Sequence, residues 1–358
     1  MSKEQNKEYV AVGGQALMEG IMMRGPQGTA VSYRLPNGRI LTEMKEFVSV
    51  RKKYKPLNLP LVRGVVSFVE SMFFGYKLLM ESAEKTSLDF EEEASESKLD
   101  RWLSDHFGPK MLNVIGVVAM VLGVGLAFLL FMWLPSFLFD LLRKAAHSEL
   151  TTIRPVFEGL IRIIVFIAYM YIVSRTKEIH RVFMYHGAEH KTIYCFERGW
   201  DLTVENVRKS VRFHPRCGTS FIFVTIILSI LISSIVALIF PQLTVNRGVW
   251  LLTKLLILPL IMGVGFEFIQ LAGKYQNTCT RILSAPGLLM QRITTAEPDD
   301  AIIECGIAVM QAALTGEIPP EQTQEVIDAE TAAQDAPVED ETPSEEAEDS
   351  AAPQEPQA

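Results

Sequence analysis

Three histidines fall within eleven residues of this chain, His180, His186 and His190, and His214 follows with Cys217 three residues beyond it. The chain holds only six histidines, so most of its imidazole is gathered in one stretch, 180–220. His186-Gly-Ala-Glu189-His190 sets two imidazoles four residues apart. On a helix of 3.6 residues per turn they lie about 40° apart around the axis, on one face. That spacing suits two ligands of one metal ion, and the order His-x-x-Glu-His matches the inverted zinc-hydrolase pattern. In that pattern the histidines bind zinc or another divalent metal, and Glu189 is the base that takes a proton from the attacking water. A catalytic zinc needs a third protein ligand. His214 and Cys217, spaced His-x-x-Cys, are the candidates, with Glu267 and His180 more distant ones. The opposing account of the same residues is structural: His186 and His190 hydrogen-bond neighbouring loops, and Glu189 pairs with Lys191 or an arginine. Cys217 beside Arg216 is also placed to be an activated thiolate, because a neighbouring cation stabilises that form.

These residues must be positioned by membrane helices. Apolar residues are concentrated in runs of about 20, the length a helix needs to cross roughly 30 Å of hydrocarbon. Four spans are expected: 111–134, closed by Pro135; 156–174, carrying Glu158 and Arg162; 221–240, stopping at Pro241; and 249–271, carrying Lys254 and Glu267. An ionisable group inside a span is costly and calls for a partner or a function. For Glu267 the candidates are Arg162 and Glu158, or the polar stretch 175–220; a wetted position near the surface is the alternative. Sixteen Lys and Arg precede the first span and nine lie in 175–220, against three and one in the other two connections. The positive-inside rule then puts both termini and the His/Cys stretch in the cytosol.

Upstream, YVAVGGQALMEGIMMRGPQG reads as a tight glycine loop with closely approaching backbone, in which Gln15, Glu19 and Arg24 are candidate site residues. It lacks the Lys-Ser/Thr ending of a P-loop. Two β-type runs flank Pro36-Asn37-Gly38, a hairpin signal. In segment 62–80, Arg63, Glu70 and Lys77 recur every seven residues. This marks an amphipathic helix lying in the interface, a poor span being the alternative. Pro298-Asp299-Asp300 before an apolar run signals a helix start.

The formal charge of −8 is misleading, since fourteen acids lie from Glu317 onward and no Lys or Arg follows Arg292. The body is mildly basic, as suits contact with an anionic leaflet. No basic-aromatic face suggests nucleic acid. The four cysteines show no paired spacing, which argues against a disulfide framework in the cytosol. No cleavable signal is present in the first 30 residues.

The expected fold is therefore mainly α: a polytopic membrane protein with about four transmembrane helices, a small N-terminal β-hairpin region and an interfacial amphipathic helix. The expected units are a disordered 1–8, the glycine-loop and hairpin region 9–60, the interfacial helix 61–80 and a charged linker 81–110. After the spans 111–134 and 156–174 come the cytosolic His/Cys loop 175–220 and the spans 221–240 and 249–271. A C-terminal helix region 272–316 and an acidic disordered tail 317–358 complete the chain.

VGGQALMEGIMMRGP, FMYHGAEHKTIYCFERGWDLTVENV, HPRCGTSF, FEFIQLAGK and TTAEPDD together resemble the YqhQ-like bacterial membrane proteins, the family of domain of unknown function 1385. The resemblance runs from Tyr9 to Leu314 and implies a multi-pass protein of the bacterial cell membrane, often labelled a predicted metal-dependent enzyme. Its polar motif positions here are Gln15, Glu19, Arg24, His186, Glu189, His190, Lys191, His214, Arg216 and Cys217. The function expected is a metal-dependent hydrolase at the cytosolic membrane interface, with the lipid bilayer as its partner. The alternative is a non-catalytic membrane scaffold or regulator. A transporter, the third class, would call for a homo-oligomer, since four spans with one buried acid are few for a single carrier.

Overall fold

The computed structural model describes residues 12–86, 118, 120–146, 153–214, 217–274 and 278–334. The glycine-rich stretch is not a loop. It is the first hairpin of a sheet, with β1 (Gly13–Leu17) antiparallel to β2 (Gly20–Gly25) and Gly14 opposite Met23. Glu19 takes the turn between them at φ 46°. The hairpin expected at Pro36-Asn37-Gly38 joins β3 (Gly28–Arg34) to β4 (Ile40–Lys45), with Gly38 at φ 80°. The four strands follow in chain order. β3 is buried along its centre because both its faces are covered: Ala30 joins one apolar cluster, Val31 and Tyr33 another. This is the period-two alternation of a strand inside a sandwich.

Helix α1 (Val62–Thr86) outlasts the expected 62–80. Its inner side carries Gly64, Leu78 and Ser82, while Val69, Met72, Phe73, Tyr76 and Met80 stand exposed. Four helices are long and apolar enough to cross a membrane. The first, α2 (Met120–Ala146), runs through Pro135 instead of stopping there, and its expected beginning at 111–117 lies outside the described residues. The reason lies partly in a neighbouring helix. A π-helical turn, Leu129–Trp133, precedes the proline, and the carbonyl that Pro135 cannot serve, that of Phe131, instead accepts Arg162 Nε at 2.9 Å. Helix α3 (Arg154–Val173) follows.

The stretch 175–220 is helical for much of its length: α4 (Lys177–Glu197) and α5 (Val204–Lys209). The spans α6 (Gly218–Ile239), ended by Pro241, and α7 (Arg247–Lys274) come next. Glu267 on α7 pairs with neither residue of α3. Arg63 of α1 holds it with two bonds, from Nε at 2.6 Å and Nη2 at 2.5 Å, so α1 is fastened to a span. Arg162 also donates to Ser229 Oγ, and Glu158 has partners of its own.

Two helices, α8 (Thr278–Thr294) and α9 (Asp300–Thr315), occupy the C-terminal region. Asp299 caps α9, accepting Ile302 N–H, as its Pro-Asp-Asp sequence predicts. Structure does not end near 317. Helix α10 (Gln324–Gln334) follows, with Ile327 buried among Leu17, Val31 and Leu78. That isoleucine joins the helix to the core, a contact that the segment's average composition conceals. The linker beyond residue 86 and the tail beyond 334 lie outside the described residues. The core that positions the site lies between the sheet, α4 and α9, around Ile21, Met23, Tyr185, Ala188, Ile302 and Val309.

Candidate metal site

Helix α4 carries His186, Glu189 and His190, and beside them it makes an unusually close backbone contact. A Cβ on Gly187 would lie 2.0 Å from the carbonyl oxygen of Ala296, so the motif's glycine lets α4 lie directly on the 295–299 backbone. Ala296 N–H donates to Phe183 O at 2.8 Å across that contact.

Both histidines are anchored from behind. His186 Nδ1 lies 2.8 Å from the carbonyl oxygen of Thr294, and His190 Nδ1 2.6 Å from that of Arg212. A carbonyl only accepts, so each Nδ1 carries a proton, and in the neutral ring it is Nε2 that offers a lone pair. His186 Nε2 is 3.2 Å from Cys217 Sγ, and the two rings are 4.4 Å apart between centroids. The ligand atoms of His186, His190 and Cys217 all lie within 4.8 Å of one another. Cys217 caps the N-terminus of α6, which fixes its backbone at the end of a span. Burial depresses the His190 pKa, an effect that the neighbouring thiol opposes, and this favours the neutral imidazole that ligates metals.

Glu189 is 5 % exposed. Gly14 N–H donates to its carboxylate, but Oε2 has no hydrogen-bond partner among the described residues. Burial raises its pKa above the ordinary carboxylate value, opposed by His186, His214 and the Gly14 N–H. The approach depends on glycine, since a Cβ at Gly14 would sit 2.6 Å from Met22 O and 3.0 Å from the Glu189 side chain.

His214 stands one layer back. Gln291 holds its backbone from both sides, accepting the N–H and donating to the carbonyl at 2.7 Å each. Its Nε2 lies 3.3 Å from Glu197, and its ring is 5.8 Å from that of His190. A cavity of about 910 Å³ opens beside the cluster, lined by His186, Glu189, His190, His214 and Cys217 on one side and by Gln15 and Arg24 of the sheet on another.

Three candidates lie elsewhere. Glu19 accepts from Arg181 and from Tyr185 Oη, so it clasps the first hairpin to α4. Lys191 donates to the Arg208 carbonyl at 2.9 Å and pairs with Glu297 at 2.7 Å. Glu267 serves Arg63, and Arg216 is outside the described residues. Sequence reasoning passed over the residues that aim the imidazoles: the Thr294 and Arg212 carbonyls, and Gln291. A signal for one of them existed, since TTAEPDD begins at Thr294.

The donor set fits a divalent cation. Two imidazoles of fixed tautomer and a thiol converge, each ring nitrogen facing away from the site is anchored on a carbonyl, and a buried carboxylate oxygen beside them is unpartnered. The fold and site together define a mainly α protein with four helices able to cross a membrane and a His/Cys/Glu cavity at the N-terminus of one of them. The chain belongs to the family described as Protein of unknown function (DUF1385), which matches residues 59–316. It is 34 % identical over 335 residues to the uncharacterized protein YqhQ of Bacillus subtilis (strain 168), covering 90 % of this chain and 98 % of that protein. No solved structure matches.

Proposed function

We propose that this protein is a metal-dependent hydrolase working at the cytosolic face of a bacterial cell membrane. The observation that carries the proposal is the pairing of two carbonyl-anchored histidines, both turned toward Cys217, with the unpartnered oxygen of Glu189. His186 and His190 would hold the ion through Nε2 and Cys217 through Sγ, a set that suits zinc. When bound, the ion supplies Lewis-acid polarisation of a substrate carbonyl or phosphoryl oxygen. Glu189 accepts the proton of the attacking water and returns it to the leaving group. Thr294 and Arg212 keep both rings aimed throughout. The basic residues of 175–220 support the cytosolic orientation of this site.

Metal analysis of the full-length protein, purified in a nonionic detergent without chelator, tests the proposal. About one equivalent is expected per chain, lost in folded H186A and H190A. Folded wild-type protein free of metal overturns it. Glu189→Gln separates catalysis from a scaffold role: it should keep the metal yet fail to restore a deletion strain, and restoration would favour the scaffold.

A further inference from the structure

We propose that the cavity takes an anionic amphiphile, a single acyl chain with a negatively charged head, and that Arg24 receives the head. This names the substrate class of the site above and rests on that reading for its chemistry, though not for binding.

The cavity's lining is mixed. Beside the His/Cys/Glu cluster it includes the apolar side chains of Met22, Phe74, Val182, Phe183, Ile193 and Ile222. Phe74 belongs to α1, whose other side exposes Val69, Met72, Phe73, Tyr76 and Met80. Ile222 belongs to the candidate span that begins at Phe221. The cavity is thus walled in part by one helix with a bare apolar stripe and one helix able to cross a membrane, surfaces that suit acyl chains. Its volume, about 910 Å³, is that of a pocket for one small ligand.

Arg24 supplies the charge. It lines the same cavity, its guanidinium carbon 4.2 Å from the centre of the Phe47 ring and its Nε 3.4 Å from Thr29 Oγ1. Among the described residues it has no ion pair. Glu70, the acid acting on it, is engaged by Ser49 Oγ at 2.7 Å and Val50 N–H at 2.6 Å. Arg24 is exposed and lines the cavity, and a guanidinium positioned by a ring face and a hydroxyl suits a carboxylate or phosphate.

Three photoreactive probes of equal chain length test this on the full-length protein in neutral detergent: a diazirine fatty acid, a diazirine lysophosphatidylglycerol and a diazirine lysophosphatidylcholine. Mass spectrometry should map the two anionic probes to the segments holding Phe74, Phe183 and Ile222. R24Q should weaken that labelling about tenfold, R24K should retain it, and the zwitterionic probe should be indifferent to both. The stronger anionic probe distinguishes a free acid from a phospholipid source. Equal labelling by all three, spread over the spans and unmoved by R24Q, overturns the proposal. So does cavity labelling by an apolar peptide that neither anionic probe displaces. Wild-type protein stripped of metal by chelator should label like untreated protein. Selective labelling of metal-free wild type would therefore sink the hydrolase and spare the amphiphile, and metal without selective labelling would do the reverse.

Discussion

Two glutamates in this protein are almost sealed from solvent, Glu158 at 1 % and Glu189 at 5 % exposure, yet their surroundings are opposite. Glu158 on α3 is fully subscribed. One oxygen accepts Ser136 Oγ at 2.6 Å and Arg154 Nε at 2.9 Å; the other accepts Lys254 Nζ at 2.8 Å and Trp250 Nε1 at 2.9 Å. Its four donors come from α2, α3 and α7, so this carboxylate ties three spans together. Glu189 has one backbone N–H and an oxygen with nothing on it, facing imidazoles and a cavity. Burial of a charge is therefore no mark of function by itself. A buried carboxylate whose lone pairs are all taken organises a fold. One left partly open beside metal-type ligands is available for chemistry.

The comparison can be broken at its strongest point first. Glu189→Gln is expected to cut function by roughly 10²–10⁴-fold, the usual contribution of general acid–base catalysis, with little change in unfolding temperature. Glu158→Ala should do the opposite, destabilising by about 3–5 kcal/mol because Lys254 is left buried without its carboxylate, while metal content per folded chain stays unchanged. Thermal unfolding and metal analysis of both variants would expose the contrast. Equal destabilisation by the two would mean that Glu189 is also a structural charge. Next in size is Gly14→Ala, whose Cβ meets Met22 O at 2.6 Å. Overpacking against backbone there should cost about 1–3 kcal/mol and push Glu189 off its hydrogen bond, lowering function as well. A Gly14→Ala protein with wild-type stability would show that β1 yields freely and that Glu189 is not positioned by it.

Much of this architecture could be read from the chain, and the misses share a cause. Spans follow from apolar runs, and the second hairpin from Pro36-Asn37-Gly38, because those signals are local. His186, Glu189 and His190 were legible because 3.6-residue geometry alone puts them on one face of α4. What joins them to Cys217, 27 residues beyond His190, is the entry of α6, and no local pattern fixes that. The glycines of 13–25 looked like a loop because glycine is poor in strands. Gly14 is there for the approach of Glu189 and Gly25 for the backbone of Ala313, both contacts with distant segments. Glu267 invited a partner on another span, whereas Arg63 reaches it from a helix about 200 residues earlier. Proline 135 looked like a stop because the donor for Phe131 O, Arg162, lies on a different helix.

The smallest expected effect sharpens the boundary of the site. Glu19 shares its sequence motif with Gln15 and Arg24, which line the cavity, but it faces outward to Arg181 and Tyr185. Arg181 is 44 % exposed at its side chain, so water screens the pair. A double-mutant cycle with Glu19→Gln and Arg181→Ala should give a coupling of only about 0.5–1 kcal/mol, as for exposed ion pairs. Metal content and function should hold in all three proteins. Glu19→Asn provides a control for the turn, because asparagine tolerates the left-handed conformation at φ 46° that glutamate adopts there at some cost. If Glu19→Gln instead removes function from stable, metal-loaded protein, the clasp is part of the machinery, and the dividing line lies between the spans and the whole unit built by the sheet, α4 and α9.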